Sequence, residues 1–131
     1  MTSEIAQRHR KQLSVMRGFL EGKGWYVAAD ALELVRQLER GTRKDGETPN
    51  FHHQLSIARL LTTLTPWFRH PEETIATAIL HDLLEDHGET WTREMLEARF
   101  GKLIADAVWC LSKKSNGMTK EYERYFADMS A

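Results

Sequence analysis

The stretch 72–88, EETIATAILHDLLEDHG, constrains the fold more than any other part of the chain. Ile75, Ala76, Ile79, Leu80, Leu83 and Leu84 recur at spacings of three and four. At about 100° per residue they share one broad apolar arc of a helix. Such an arc has to be buried against other elements, so the segment belongs inside a helical assembly. The opposite side of the same wheel carries Thr77, His81, Asp82 and Glu85. His81 and Glu85 are one turn apart, as are Asp82 and Asp86, and Asp86 projects between Ile75 and Ile79 at the margin of the apolar arc. An ionised carboxylate taken from water there needs a partner, because an isolated one costs several kcal/mol. The alternative is a fraying last turn that leaves the acids in water.

The same period recurs along the chain between short breakers. Ser3 can cap a first helix reaching to about Glu21, with Ile5, Leu13, Met16 and Leu20 near one face, ended by GKG at 22–24. A second helix from about Trp25 to Arg40 is expected to bury Val27, Ala31, Leu34, Val35 and Leu38, with Gly41 as its stop. The polar loop GTRKDGETP follows, then a third helix, NFHHQLSIARLLTTL, ended by Pro66. After PWFRHP and the fourth helix over 72–88 come a short fifth helix capped by Thr90 or Thr92, a sixth in KLIADAVWCLS and a seventh in MTKEYERYFADMS. No segment alternates with a strand's period and no internal repeat is visible. The expected fold is all-α, with about six to seven helices in a single domain over residues 1–131.

Composition narrows the function. With 131 residues, 41% of them hydrophobic, the chain can bury a core without staples. Eighteen basic against nineteen acidic side chains give a net charge of −1, so no basic excess points to nucleic acid. A charged ligand would have to be met by a local cluster. The single cysteine, Cys110, lies in the apolar run AVWCLSK, which rules out an intrachain disulfide and predicts a buried thiol suited to a reducing compartment. The polar N-terminus and the lack of any run of spanning length predict a soluble, cytoplasmic protein without a signal peptide or membrane helix.

The third helix supplies the second half of a possible site. Phe51, Leu55, Ile57, Ala58, Leu60, Leu61 and Leu64 form a very wide apolar arc, and His53 falls between Leu60 and Leu64. His53 is therefore expected to point inward, and His52, near Arg59 and Thr63, to face water. A lone inward histidine is more often a hydrogen-bonded core residue than a ligand. A second histidine followed at once by an aspartate, on a helix that must pack nearby, makes His53, His81 and Asp82 a candidate two-histidine-one-carboxylate metal site. Imidazole and carboxylate together suit Mn²⁺, Fe²⁺ or Zn²⁺ better than Ca²⁺.

His53 with the dipeptide His81-Asp82 resembles the HD-domain metal-dependent phosphohydrolases. The longer pattern of RKDGETPNFHHQLSIA, AILHDLLED and TWTREMLEARFGKLIADAVWCLSK is similar, over about residues 27–128, to the hydrolase domain of the RelA/SpoT family and to the small alarmone hydrolases. That resemblance implies a helical domain holding a divalent ion, typically manganese, that removes the 3′-pyrophosphate from guanosine tetra- or pentaphosphate. It makes His53, His81 and Asp82 metal ligands. Glu85 and Asp86 become the pair that positions or deprotonates the attacking water, and Arg43 and Lys44 the basic pair that contacts the nucleotide. Lys113 matches a phosphate-facing lysine more loosely. These residue types suit the chemistry, since a carboxylate one turn from the ligands can orient water or accept its proton. A guanidinium can grip phosphate bidentately, and Gly46 and Pro49 shape the loop that would bring Arg43 and Lys44 over the pocket.

The chain departs from the family pattern in three places. One extra residue separates glycine and proline in GETP, and Gln54 stands where a proline usually follows the histidine. The aromatic residue, Phe51, does not directly follow the proline. The family's later metal-binding Asp would fall beyond Ala131, and neither Asp106 nor Asp128 has its sequence context. The expectation is that a longer parent chain, a partner chain or water completes the coordination. Two alternatives accompany the alarmone reading: hydrolysis of other nucleotides, such as a triphosphohydrolase or nucleotidase, and a nucleotide-binding module without turnover. The expected partner is a small nucleotide, with no membrane or nucleic acid, and a homo-oligomer is compatible with all three.

Overall fold

The computed structural model describes residues 4–42, 46 and 49–112. These residues form seven α-helical segments: α1 (Glu4–Gly22), α2 (Tyr26–Leu38), α3 (His52–Thr62), α4 (Pro71–Leu80), α5 (Leu83–Asp86), α6 (Arg93–Phe100) and α7 (Lys102–Leu111). A 3₁₀ turn, Thr65–Trp67, follows α3. Among the described residues the sole β feature is an isolated antiparallel bridge between Thr42 and Pro49. The all-α expectation holds. No helix among the described residues is long and apolar enough to cross a membrane. The expected seventh helix at 118–130 lies outside the described residues.

Helix α4 is the axis of the packing, in contact with α2, α3 and α7. Ile75, Ala76, Ile79 and Leu80 are buried as the wheel predicts, and so are Thr74 and, on the side expected to be polar, Thr77. A helix covered on three sides has no fully wet face, and small hydroxyl residues can enter the core because they have a carbonyl one turn back. Thr74 Oγ1 donates to the carbonyl of His70 at 2.8 Å. Glu72, in the first turn of α4, serves a neighbouring helix. Its Oε2 accepts from the backbone N–H groups of Val27 (3.1 Å) and Ala28 (3.3 Å), which have no partners within α2. That contact satisfies the start of α2 and sets α2 against α4.

Around this axis, α1 packs Met16 and Leu20, α2 Ala28, Ala31, Leu32, Leu34 and Val35, and α7 Ile104, Ala105 and Val108. Ile5 and Val27, both expected inside, are instead more than a third exposed. Each lies in the first turn of its helix. Thr92 caps α6 by accepting from the N–H of Met95, as one of the two predicted caps. Cys110 is only partly covered, which corrects the expectation of a buried thiol, because the last turn of α7 runs to the edge of the core.

His9 on α1 is buried against Phe51 and His52, with ring centroids 5.7 and 6.1 Å away. Its Nδ1 has no hydrogen-bond partner among the described residues. Burial, and then the nearby His52, hold its pKa below the ordinary histidine value. The native state therefore favours neutral His9. The stability this residue supports is complete above the ordinary histidine range and falls as pH drops through that range toward the lowered value. In urea melts between about pH 7.5 and about pH 5, His9→Leu should gain on the unsubstituted protein as the pH falls. A pH-independent difference would show that His9 is not buried in its neutral form.

Candidate metal centre

Three of the sequence-predicted residues come together. One ligand atom from each of His53, His81 and Asp82 lies within 4.8 Å of the others. The His53 and His81 rings meet edge to face, with centroids 5.3 Å apart. His81 Nε2 is 3.0 Å from Asp82 Oδ2. His53 comes from the first turn of α3, while the other two come from the junction between α4 and α5.

That junction departs from the sequence expectation. The continuous helix expected over 72–88 is broken, with α4 ending at Leu80 and α5 starting at Leu83. His81 keeps helical dihedrals but Asp82 relaxes to φ −95°, ψ 0°. His81 Nδ1 lies 2.6 Å from the carbonyl of Ala78, a group that the N–H of Asp82 would otherwise take in a regular helix. The imidazole thus replaces a backbone donor, and the helix loosens just where the two ligand candidates lie. The hydrogen bonds resume when Asp86 N–H donates to Asp82 at 2.8 Å and His87 N–H to Leu83 at 2.8 Å.

The same contact determines the proton on His81. A carbonyl can only accept, so Nδ1 must carry the hydrogen, which leaves the Nε2 lone pair of a neutral imidazole facing a carboxylate oxygen at 3.0 Å. Two acceptors at that distance need a cation between or beside them. A proton on Nε2 would serve, and so would a divalent metal with His53 completing the group. A histidine held by a carbonyl through one nitrogen and offering the other is the usual arrangement of a metal-binding imidazole. The donor set therefore fits the metal implied by the sequence, with His53, His81 and Asp82 as the residues able to hold it.

The position of His53 differs from expectation. It is exposed, whereas Gln54 and Leu55 are buried and His52 is half-buried. The apolar arc of α3 was too wide to set the rotation of the helix. The side turned to the core is that of Phe51, Leu55 and Ala58, and Leu60 and Leu64, which flank His53 on the wheel, are exposed. His52 contacts Ser56 Oγ at 3.3 Å instead of pointing freely to water. Gln54, at the position of the family's proline, fills a buried site. With its amide oriented by the neighbouring acceptors, it donates to the carbonyls of Asn50 and Phe51 at 3.3 Å each.

Glu85 and Asp86 line an open groove of about 410 Å³ together with His87, Gly88, Glu89 and Thr90. Asp86 is exposed, so it does not press into the apolar arc. His87, expected to be a solvated helix end, is partly buried, with Nε2 3.1 Å from Glu39 Oε1. Sequence reasoning passed over Glu39. The two residues are 48 apart, and the pairing has no local periodicity to reveal it. Arg43, Lys44 and Lys113 lie outside the described residues. The base of the loop that carries Arg43 and Lys44 is closed by the Thr42–Pro49 bridge and by Asn50, whose N–H donates to Gly41 (3.1 Å) and whose Nδ2 donates to Arg40 (3.2 Å). Gly41 takes φ +95° there, a conformation glycine adopts at no steric cost. Asp106 is not part of the metal group; it is buried and joins α6 to α7, held by Arg93 Nε at 3.2 Å and Lys102 Nζ at 2.9 Å.

The HD domain family matches residues 31–121. The chain is 34% identical over 96 residues, 67% of its length, to a guanosine-3′,5′-bis(diphosphate) 3′-pyrophosphohydrolase of Vibrio cholerae serotype O1, and covers 13% of that protein. It is 36% identical over 83 residues, 63% of its length, to a GTP pyrophosphokinase rsh of Brucella melitensis biotype 1, and covers 10% of it. The chain thus spans about a tenth of the length of these curated relatives. No solved structure gives a significant match. The family match takes in α3, the α4–α5 junction and the helices that hold them in place, and on that ground the chain belongs to the HD domain family.

Proposed function

We propose that the protein is a single HD-type domain acting as a metal-dependent nucleotide phosphohydrolase. Its proposed substrate is guanosine tetra- or pentaphosphate, from which it removes the 3′-pyrophosphate, with manganese as the working ion. The observation that carries this reading is the facing pair of His81 Nε2 and Asp82 Oδ2 with His53 beside them. The Vibrio cholerae relative, named for 3′-pyrophosphohydrolase activity, supports the substrate.

When bound, a divalent ion supplies Lewis acidity to a phosphoryl oxygen and lowers the pKa of a coordinated water. The protein's own residues do the remainder. His53, His81 and Asp82 hold the ion, and the Ala78 carbonyl keeps the His81 ring turned toward it. Glu85 and Asp86 border the groove, where a carboxylate can orient a water and take its proton. Arg43 and Lys44 are the proposed phosphate and nucleotide contacts, the first as a flat bidentate donor and the second as a mobile point charge.

The test is a nucleotide panel with product analysis on manganese-loaded protein. Release of pyrophosphate from the 3′ position, ahead of any release from nucleoside triphosphates, is the expected result. Turnover of triphosphates alone would replace the alarmone with other nucleotides. Tight binding with no turnover would make the domain a nucleotide-binding module. Arg43→Ala should raise KM about tenfold or more, as loss of a charge-assisted phosphate contact of roughly 1.5–3 kcal/mol requires, and should leave manganese content unchanged. Loss of metal in that variant would remove Arg43 from the substrate role.

A further inference from the structure

The break between α4 and α5 puts the two adjoining ligand candidates on different pieces of the fold. His81 is the C-cap of α4 and keeps helical dihedrals, and its ring is held by the Ala78 carbonyl. Asp82 is the N-cap of α5, at φ −95° and ψ 0°. Because the helix is interrupted between them, α4 fixes His81 but does not by itself fix Asp82. The 3.0 Å approach of Asp82 Oδ2 to His81 Nε2 therefore depends on how α5 lies.

Helix α5 has four residues, a single turn too short to persist without tertiary contacts. Two kinds of contact hold it. Leu83 and Leu84 are buried, which presses one side of the turn into the core. At the far end His87 is the C-cap, its N–H donating to the Leu83 carbonyl at 2.8 Å and its Nε2 lying 3.1 Å from Glu39 Oε1. Apolar burial is non-directional, so it holds the turn in place without fixing its heading. A hydrogen bond at one end supplies the direction.

Glu39 is itself anchored. It is the C-cap of α2, with its N–H donating to the Val35 carbonyl at 2.8 Å, and α2 packs along α4. The Glu39 side chain is 17% exposed and that of His87 25%, and no lysine or arginine pairs with Glu39 among the described residues. A carboxylate this far out of water needs a donor, and His87 Nε2–H provides one. The route from Glu39 to Asp82 is continuous. It runs from the Glu39 side chain to His87, and then through the N–H groups of His87 and Asp86 to the carbonyls of Leu83 and Asp82, each at 2.8 Å.

We propose that Glu39 is a positioning residue for the metal centre: through its hydrogen bond to His87 it orients α5 and so sets the Asp82 carboxylate opposite His81. This role rests on the reading of His53, His81 and Asp82 as metal ligands. It adds to that group a residue from α2, outside the HD dipeptide, that acts through α5 and not as a ligand.

The test is the manganese affinity of the full chain, read from the electron spin resonance of free Mn²⁺ with no nucleotide present. Glu39→Ala should raise Kd by about tenfold to a hundredfold, the range in which outer-shell losses weaken metal sites. Glu39→Gln should stay within about threefold of the unsubstituted protein, because its amide oxygen still accepts from His87 Nε2–H. The double variant Glu39→Ala, His87→Leu should bind no more weakly than the weaker single variant, since both substitutions remove the same bond. A residue that only stabilised the fold would lower the thermal midpoint in chelator without moving Kd at temperatures well below it. An unchanged Kd in Glu39→Ala, a Glu39→Gln variant as weak as Glu39→Ala, or single effects that multiply in the double variant would each overturn the proposal. If Glu39→Ala does not fold, His87→Leu carries the test: the same rise in Kd is expected, and an unchanged Kd overturns the proposal. Unsubstituted protein that binds no manganese overturns the metal reading and this role together, whereas normal binding that the variants leave unmoved overturns this role alone.

Discussion

Asp82→Ala is expected to abolish both manganese retention and nucleotide turnover while leaving the helices in place. Asp82 sits in the break between α4 and α5 and is about a third exposed. Its carboxylate faces the Nε2 lone pair of His81, so without a cation the contact is one of two acceptors, and its removal costs the fold little. Removing a single preorganised electrostatic group from an active site costs roughly a hundredfold to a thousandfold in kcat. Loss of one of the three proposed protein ligands should reach at least the upper end of that range. The clearest measurement is the thermal midpoint with and without manganese. A ligand that binds only the folded state raises stability by an amount set by its concentration over Kd, and that rise should vanish in the variant. A manganese-dependent rise that survives Asp82→Ala would mean that the ion binds elsewhere.

The second large effect concerns the fold. Ile79 and Leu60 both lie in apolar arcs when their helices are drawn as wheels, yet Ile79 is 1% exposed and Leu60 64%. Ile79→Ala should cost about 2–5 kcal/mol, the transfer term plus a cavity that helices packed around α4 cannot fully collapse. Leu60→Ala should stay within about 0.5 kcal/mol, as surface substitutions usually do. Urea denaturation of the two variants decides the matter. Similar losses at both positions would mean that α3 is rotated toward the core by more than the structure shows.

The contrast marks how much of the fold could be read in advance. Where a helix has a compact apolar arc and clear punctuation, as in α2 with Gly41 after it or α6 with Thr92 before it, its existence and approximate bounds follow from local chemistry. In α3 the arc spans most of the wheel, and periodicity alone does not say which edge faces inward. The inward assignment of His53 failed for that reason, and the buried slot went to Gln54. The break at His81 and Asp82 was hidden too. Neither residue is a breaker of the Gly or Pro kind, and the break comes with a side-chain contact to Ala78 that no spacing rule encodes.

For the candidate site the division is similar. The pairing of His53 with His81-Asp82 was legible because two of the three residues adjoin in sequence and the third opens a helix that has to pack close by. Glu39 was not legible, since its partner His87 lies 48 residues away and each residue alone looks like a wet helix end.

The sequence by itself determined which segments are helical, where most of them stop, and which histidines and acids are available to a metal, because caps, breakers and the 3.6-residue period act within a turn or two of the chain. The tertiary structure alone decided the rotation of α3, the loosening of α4 at the candidate ligand pair and the meeting of Glu39 with His87. Each of these is a balance between burial and hydrogen bonding summed over helices distant in sequence, and no local stretch contains all of its terms.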